Sequence, residues 1–214
     1  MNEKKYKNVI FKNLKTCEID PEVIIGNNVV IHGGNILKGK TIIGDNVILK
    51  NNNYIENSTI ENNSCLEYSH IVNSCIGKNC QIGPFSRLRP NSKIGDDCKV
   101  GNFVEIKNST LGTKCKASHL AYIGDSILGE NCNVGCGAIF VNYNGKEKNK
   151  TIIGNNCFIG SNVNLIAPLE IADNTYICAG TTITQNTNEY DFVIGRAKET
   201  IKPNRAKKYL KETK

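Results

Sequence analysis

The sequence predicts an all-β fold, a parallel β-helix built from hexapeptide repeats. Three observations predict it. An aliphatic residue recurs about every six residues, a small side chain stands two residues before most of these aliphatics, and Asn, Asp or Gly often follows three residues after them. The three features together describe the strands, the core and the corners of one repeating coil.

The aliphatic repeat runs through most of the chain. Its members are Ile25, Ile31, Leu37, Ile43, Leu49, Ile55, Ile60, Leu66, Ile71, Ile76, Ile82, Leu88, Ile94, Val100, Ile106, Leu111, Ala117, Ile123, Leu128 and Val134, then Ile153, Ile159, Leu165, Ile171, Ile177 and Ile183. Most spacings are six and a few are five. Neither matches an amphipathic helix, whose apolar residues lie three and four apart, so the repeat favours stacked coils with parallel strands pairing between them.

The small side chains predict how the core is filled. They include Cys80, Ser92, Cys98, Cys132, Cys157, Val163 and Thr175. Residues two apart on a strand face the same side, so each of these faces the core together with its aliphatic. Cysteine suits such a slot as a compact hydrophobe. We therefore expect packing, rather than metal or redox chemistry, from most of the ten cysteines, and we expect no metal.

The residues that follow the aliphatics predict tight corners. They are Asn28, Gly34, Asn46, Asn52, Asn63, Asn79, Asp97, Asn131, Asn156 and Asn174. These residue types tolerate a positive φ, which a sharp turn between two strands requires. Three hexads with three corners then form one triangular coil, and the excess of asparagine has a structural explanation.

The repeat also divides the chain into segments. Residues 1–20 lack the hexad and are predicted to cap the first coil, residues 21–195 form the β-helix, and residues 196–214 form a basic tail that is helical in part. The hexad pauses between Val134 and Ile153, where residues 142–150 are polar. We expect an extruded loop there, and loops on a rigid scaffold commonly carry binding groups.

Composition narrows the classes of partner and the location. The formal net charge of +7 attracts anions, but aromatic residues make up only 7% of the chain, which favours small phosphorylated ligands over nucleic acid. No apolar stretch approaches the ~20 residues that span a bilayer, so we expect no membrane contact. Residues 2–7 are polar rather than a signal segment, and we expect a cytoplasmic protein with free thiols.

Several motifs do not belong to the repeat and carry a resemblance. They are Ile82-Gly83-Pro84-Phe85-Ser86-Arg87-Leu88-Arg89-Pro90, Val100-Gly101-Asn102-Phe103-Val104-Glu105, Ser118-His119-Leu120-Ala121-Tyr122-Ile123-Gly124-Asp125 and Asn142-Tyr143. From about residue 17 onward the chain resembles the acetyltransferase domain of the bacterial bifunctional N-acetylglucosamine-1-phosphate uridyltransferases. That resemblance implies a left-handed parallel β-helix, a homotrimer, and acetyl transfer from acetyl-CoA to the amine of glucosamine-1-phosphate in UDP-N-acetylglucosamine biosynthesis.

The resemblance also implies roles for individual residues. It implies that His119 is the general base, because a largely neutral imidazole can accept the proton of the attacking amine. The implied ligands of the sugar phosphate are Arg89, Lys107, Tyr122, Asn133 and Lys148. The implied ligands of acetyl-CoA are Cys136, Asn142, Tyr143, Ser161, Ala179 and Arg196. Cys136 departs from the alanine common in the family, which the site tolerates if position 136 acts through its backbone.

Two other functions stay open at this point. The same fold hosts acetyltransferases for other amino sugars, and a β-helix can also serve as a non-catalytic module. The motif residues favour the phosphorylated acceptor over both. Residues 1–30 lack the Gly-rich nucleotide-binding segment of the family's other half, so we expect no uridyl transfer.

Overall fold

The computed structural model describes residue 6 and residues 8–210. The chain winds into triangular coils, about ten in number, whose short strands pair in parallel with those of the next coil. The predicted all-β, left-handed parallel β-helix of hexapeptide repeats is confirmed.

The strands are short and evenly spaced. In chain order they are β1 (Val9–Phe11), β2 (Glu18–Ile19), β3 (Ile24–Ile25), β4 (Val29–Ile31), β5 (Ile36–Lys38), β6 (Ile42–Ile43), β7 (Ile48–Leu49), β8 (Tyr54–Glu56), β9 (Thr59–Ile60), β10 (Cys65–Leu66), β11 (His70–Val72), β12 (Cys75–Ile76), β13 (Gln81–Ile82), β14 (Arg87–Leu88), β15 (Lys93–Ile94), β16 (Lys99–Lys107), β17 (Thr110–Leu111), β18 (Lys116–Gly124), β19 (Ser126–Leu128), β20 (Asn133–Val134), β21 (Ile139–Val141), β22 (Thr151–Ile153), β23 (Phe158–Ile159), β24 (Asn164–Ile166), β25 (Leu169–Ile171), β26 (Tyr176–Ile177), β27 (Thr182–Ile183) and β28 (Phe192–Val193). Two short 3-10 helices occur among the described residues: Leu14–Thr16 lies between β1 and β2, and Arg205–Lys208 follows β28.

The strands form three walls. Wall 1 contains β1, β4, β7, β10, β13, β20, β23, β26 and β28; wall 2 contains β2, β5, β8, β11, β14, β21, β24 and β27; wall 3 contains β3, β6, β9, β12, β15, β17, β19, β22 and β25. The long strands β16 and β18 run from wall 1 into wall 2 without a break, and seven pairs of residues align between them. These two strands stiffen the middle of the solenoid, where most of the unusual motifs lie.

The predicted core residues are buried. The repeating aliphatics from Ile31 to Ile183 are at most 6% exposed, and the small-slot residues Cys80, Cys98, Cys132 and Cys157 are each 1% exposed. Burial raises the pKa of the Cys80 thiol to about 11, so this thiol stays protonated at neutral pH. The interpretation of these cysteines as packing residues is confirmed.

The three edges between the walls are formed by residues in the left-handed backbone conformation. Edge A joins walls 1 and 2, edge B joins walls 2 and 3, and edge C joins walls 3 and 1. All ten predicted corner residues have a positive φ, between 56° and 76°. Eight of them lie on edge C and two, Gly34 and Asn52, lie on edge A. The prediction of tight corners from residue type is confirmed.

Asparagine side chains form a ladder along edge C. Each Nδ2 donates to the side-chain oxygen one coil further on, over 3.3 Å from Asn28 to Asn46, 3.2 Å from Asn46 to Asn63, 3.2 Å from Asn63 to Asn79 and 3.1 Å from Asn79 to Asp97. The corner asparagines therefore serve two purposes, because they supply both the left-handed conformation and a hydrogen bond between coils.

The ends of the chain differ in part from the predicted segments. β1 and β2 lie within residues 1–20 and pair in parallel with β4 and β5, so the stack of coils begins before residue 21. Residues 1–5 and 7 of the predicted cap, and residues 211–214 of the tail, lie outside the described residues. In the part of the tail that is described, helical structure is confined to Arg205–Lys208.

Residues 142–150 lie between β21 and β22, at edge B. They form a short hairpin closed by an antiparallel bridge between Tyr143 and Lys148. The side chain of Asn144 accepts hydrogen bonds from the backbone N–H groups of Lys146 and Glu147, each over 2.9 Å.

Within the described residues, no helix is long and apolar enough to cross a bilayer.

The corner geometry generates a stability prediction for Asn63, whose φ is 62°. Asn63→Gly and Asn63→Val both remove the ladder hydrogen bonds, but only valine is strained by a positive φ, at a cost of about 1–3 kcal/mol. We expect the valine variant to melt at a lower temperature than the glycine variant in thermal unfolding followed by circular dichroism. Equal melting temperatures would contradict a left-handed conformation at this corner.

Candidate functional site

Four of the predicted site residues occupy one repeating position on edge A. In successive coils, each directly precedes a left-handed corner residue; they are His119, Cys136, Ser161 and Ala179. The corners are joined by backbone hydrogen bonds from Gly137 N to Leu120 O (2.6 Å), from Asn162 N to Cys136 O (2.8 Å) and from Gly180 N to Ser161 O (2.8 Å). The structure thus aligns the predicted general base with three predicted acetyl-CoA residues in a single column.

The length of this column suits a long, thin ligand. Adjacent coils are about 4.8 Å apart, so Ala179 lies roughly 14 Å from His119 along the solenoid axis. Arg196 extends the column, because its Nη1 donates to the carbonyl oxygen of Ala179 over 2.9 Å. The first residue of the basic tail is therefore held at the end of the column opposite His119.

The corner leaves a backbone donor free beside His119. The carbonyl of Cys136 accepts from Asn162, but the N–H of Cys136 donates to no acceptor in the described part of the chain. The side chain of Cys136 is exposed. A free N–H on a rigid corner is a preorganised donor for a developing oxyanion, and it requires nothing of the side chain at this position.

A second group of predicted residues lines a cavity at edge B. This cavity has a volume of about 520 Å³ and is lined by Arg89, Lys107 and Lys148 together with Pro90, Asn91, Asn108, Asp125 and Lys150. The cations come from three separate segments, namely wall 2, the end of β16 and the extruded loop. The structure brings these three predicted substrate ligands together.

Two of the cations in the cavity already have carboxylate partners. Arg89 Nη1 lies 2.9 Å from Glu105 Oε1, and Lys107 Nζ lies 2.9 Å from Asp125 Oδ2. Among the described residues, no carboxylate lies within 4.0 Å of the ammonium groups of Lys148 or Lys150. These two lysines are therefore the positive charges that the cavity leaves uncompensated.

Asp125 is the most buried charged group of the cavity, with a side chain only 7% exposed. Its carboxylate accepts from Lys107 Nζ over 2.9 and 3.0 Å, from Asn108 Nδ2 over 2.6 Å, and from Asn142 Nδ2. Burial raises the pKa of Asp125, but the hydrogen bonds from Asn108, Lys107 and Asn142 outweigh it, so the pKa lies below its ordinary value. Asp125 is ionised at neutral pH.

Tyr122 lies on wall 2 between the two edges. Its hydroxyl is 3.4 Å from Asn142 Nδ2, and its ring lies over Gly124, where a Cβ atom would overlap it. Asn142 is only 8% exposed at the base of the loop, whereas Tyr143 is 57% exposed and donates from its hydroxyl to Gly145 O over 2.8 Å. Tyr122 thus lies on the strand that carries His119, and Asn142 links it to Asp125 of the cavity.

One predicted residue is not brought to this group within a single chain. Asn133 belongs to β20 on wall 1, where it pairs with Lys116 and Phe158. Wall 2 separates this position from the cavity at edge B. The cavity is also lined by Asp125, Asn108 and Lys150. Sequence reasoning misses these residues, because the hexad pattern does not reveal how the loop folds back.

No group of three or more His, Cys, Asp or Glu side chains suitable for a metal ion occurs among the described residues. The described site contains one imidazole, backbone donors on a rigid edge, and a cluster of cations.

Comparison with known proteins agrees with the fold. The family model described as "Bacterial transferase hexapeptide (six repeats)" matches residues 150–185, and the model of the GMPPB C-terminal domain matches residues 70–143. The fold is similar to the solved structure of a UDP-N-acetylglucosamine acyltransferase from Francisella novicida, with a TM-score of 0.51 at 14% identity. The match covers 81% of this chain and 62% of the acyltransferase chain. That structural likeness shows the fold alone. Residues 150–185 thus carry hexapeptide repeats of the kind that this family model describes.

The relatives found by sequence are more similar to this chain than that solved structure is. The chain is 48% identical over 214 residues to "Bifunctional protein GlmU" of Clostridium novyi, covering 99% of this chain and 47% of the relative. It is 52% identical over 181 residues to the protein of the same name from Clostridium perfringens, covering 85% of this chain and 40% of the relative. The resemblance found in the sequence is confirmed, and the chain spans about half the length of these relatives.

The buried carboxylate generates a prediction about pH. Because the pKa of Asp125 is lower in the folded protein than in the unfolded chain, its contribution to stability is present above about pH 4 and is lost as the pH falls through the folded value. We expect Asp125→Asn to lower the free energy of unfolding by about 1–3 kcal/mol at pH 7. In urea unfolding at a series of pH values, this difference should shrink below pH 4; a difference that stays constant down to pH 2 would contradict it.

Proposed function

We propose that this chain transfers the acetyl group of acetyl-CoA to the amine of glucosamine-1-phosphate, forming N-acetylglucosamine-1-phosphate for UDP-N-acetylglucosamine biosynthesis. One observation carries the proposal. The column of His119, Cys136, Ser161 and Ala179 lies on edge A, and the cationic cavity lies on edge B. Both edges border wall 2. An acyl donor and a phosphorylated acceptor thus have separate places on either side of Tyr122.

The cation cluster supports a phosphorylated acceptor. Glu105 and Asp125 compensate Arg89 and Lys107, while Lys148 and Lys150 remain uncompensated within the described chain. A phosphate monoester carries between one and two negative charges at neutral pH, which matches the two free ammonium groups. This charge balance favours glucosamine-1-phosphate over an amino sugar without phosphate.

The reaction requires no acyl-enzyme intermediate. The amine nitrogen attacks the thioester carbonyl carbon while His119 accepts a proton from it. The carbonyl oxygen becomes an oxyanion, which the free N–H of Cys136 stabilises. The C–S bond then breaks, and the sulfur takes the proton from His119, so that CoA leaves as a thiol and the imidazole returns to its neutral state.

The homotrimer is part of the same proposal. Asn133 and the cavity at edge B lie on different walls of one chain, so Asn133 can join a site only from a neighbouring copy. Closed cyclic symmetry would give three identical sites of this kind. Use of acetyl-CoA together with ten free cysteines favours the cytoplasm as the place of reaction.

Loss of the general base tests the reaction directly. We expect His119→Ala to lower kcat at least 100-fold in an assay of thiol release from acetyl-CoA with glucosamine-1-phosphate, because proton transfer contributes roughly 10²–10⁴-fold. His32→Ala is the matched control, since His32 lies at the start of the solenoid, and it should retain full activity. Activity with other amino sugars only would support a different acceptor, and no activity with any amine would support a non-catalytic module.

The free lysine of the loop generates a second kinetic prediction. We expect Lys148→Ala to raise KM for glucosamine-1-phosphate by roughly tenfold while KM for acetyl-CoA stays unchanged, since a charge-assisted hydrogen bond contributes about 1.5–3 kcal/mol. Lys146→Ala is the matched control, because Lys146 is an exposed lysine of the same loop that does not line the cavity. An equal effect of the two substitutions would indicate general attraction by the loop rather than a defined contact.

A further inference from the structure

Asp125 lies where the two halves of the proposed site meet. Its carboxylate contacts Lys107, which lines the cavity at edge B, and Asn142, which begins the loop and is an expected acetyl-CoA ligand. Asn108, also in the cavity lining, donates to the same carboxylate over 2.6 Å. No other described carboxylate accepts hydrogen bonds from both a substrate-binding and a cofactor-binding residue of this site.

The chemistry of a carboxylate determines the orientation of Asn142. An ionised carboxylate can only accept hydrogen bonds, so the amide of Asn142 must turn its NH₂ group towards Asp125. The remaining proton of Nδ2 points to the Tyr122 hydroxyl, 3.4 Å away. Both donors of the amide are therefore engaged, and Asn142 can offer a ligand only its carbonyl oxygen, Oδ1.

The orientation changes what Asn142 contributes to acetyl transfer. A residue with no free donor does not stabilise an oxyanion, and that task falls to the N–H of Cys136. A free Oδ1 instead accepts a hydrogen bond from an N–H group, such as the amine of the sugar phosphate or an amide of the pantetheine arm. The same carboxylate also fixes the Lys107 ammonium through two contacts, 2.9 and 3.0 Å long.

We propose that Asp125 is a positioning residue that orients the Asn142 amide as an acceptor and holds the Lys107 ammonium in the phosphate cavity. This inference rests on the proposed function and adds to it a residue that acts through two others, Asn142 and Lys107. It also assigns opposite hydrogen-bonding roles to Asn142 and Cys136. The low pKa of Asp125 agrees with it, because the orientation requires the ionised form.

Asp125→Asn tests the proposal, because asparagine has nearly the same shape but can donate as well as accept, so it no longer dictates the orientation of Asn142. We expect kcat to fall roughly tenfold or more, as misplacement of a reacting group can cost about 10²-fold. We also expect KM for glucosamine-1-phosphate to rise severalfold. Asp96→Asn is the matched control: Asp96 is a corner carboxylate on edge C that accepts from Lys78 N over 2.7 Å, and its substitution should change neither constant.

A double-mutant cycle separates positioning from a general loss of stability. If Asp125 acts through Asn142, the kcat loss of Asp125→Asn should shrink to within about twofold in an Asn142→Ala background, because coupled residues are not additive. A structural defect would lower kcat by the same factor in both backgrounds, and this result would overturn the proposal. So would equal constants for Asp125→Asn and the wild type.

Calorimetric binding of glucosamine-1-phosphate and acetyl-CoA distinguishes this inference from the proposed function. A wild-type chain that binds the sugar phosphate without turning it over would refute acetyl transfer, and weaker binding by Asp125→Asn would still support positioning of Lys107. Unchanged binding in that variant would overturn the proposal. A wild-type chain that binds neither compound would refute both.

Discussion

The structure depends above all on parallel strand pairing between successive coils. A strand of two or three residues is too short to be stable alone, but each one pairs with the strand of a neighbouring coil, most of them on both sides, and the repeating aliphatics form a continuous core. Pairing in exact register also stacks every corner on the corner of the preceding coil. Columns of equivalent residues along each edge are the direct result, and the candidate site is built from two such columns.

Much of the fold could be predicted from the sequence because the sequence repeats. The spacing of the aliphatics, the small residues before them and the asparagines after them each occur many times, so chance agreement is small. The individual functional residues could be predicted only from their resemblance to a family, because His119 or Lys107 has no repeating pattern of its own. The roles of Asp125 and Lys150 could not be found in either way, since they depend on how the loop folds over edge B.

The bulky corner residues of edge A show where residue type fails as a guide. Phe85, Phe103 and Leu120 have φ values of 58°, 59° and 37°, in a region that large side chains seldom adopt and that costs about 1–3 kcal/mol for each residue. At Phe103 and Leu120, the pairing of β16 with β18 offsets this strain, since both strands continue through the corner. Leu120 directly follows His119, so one of these strained corners lies beside the proposed general base.

A rigid solenoid explains how four cations can share one cavity. Glu105 and Asp125 compensate two of them, and the fixed register of β16 with β14 and with β18 keeps these carboxylates next to their partners. The other two belong to the loop, where the ammonium groups of Lys148 and Lys150 are exposed to water and their repulsion is weakened by the solvent. The scaffold thus holds the compensated charges in place, while the loop supplies the charges that an incoming phosphate would neutralise.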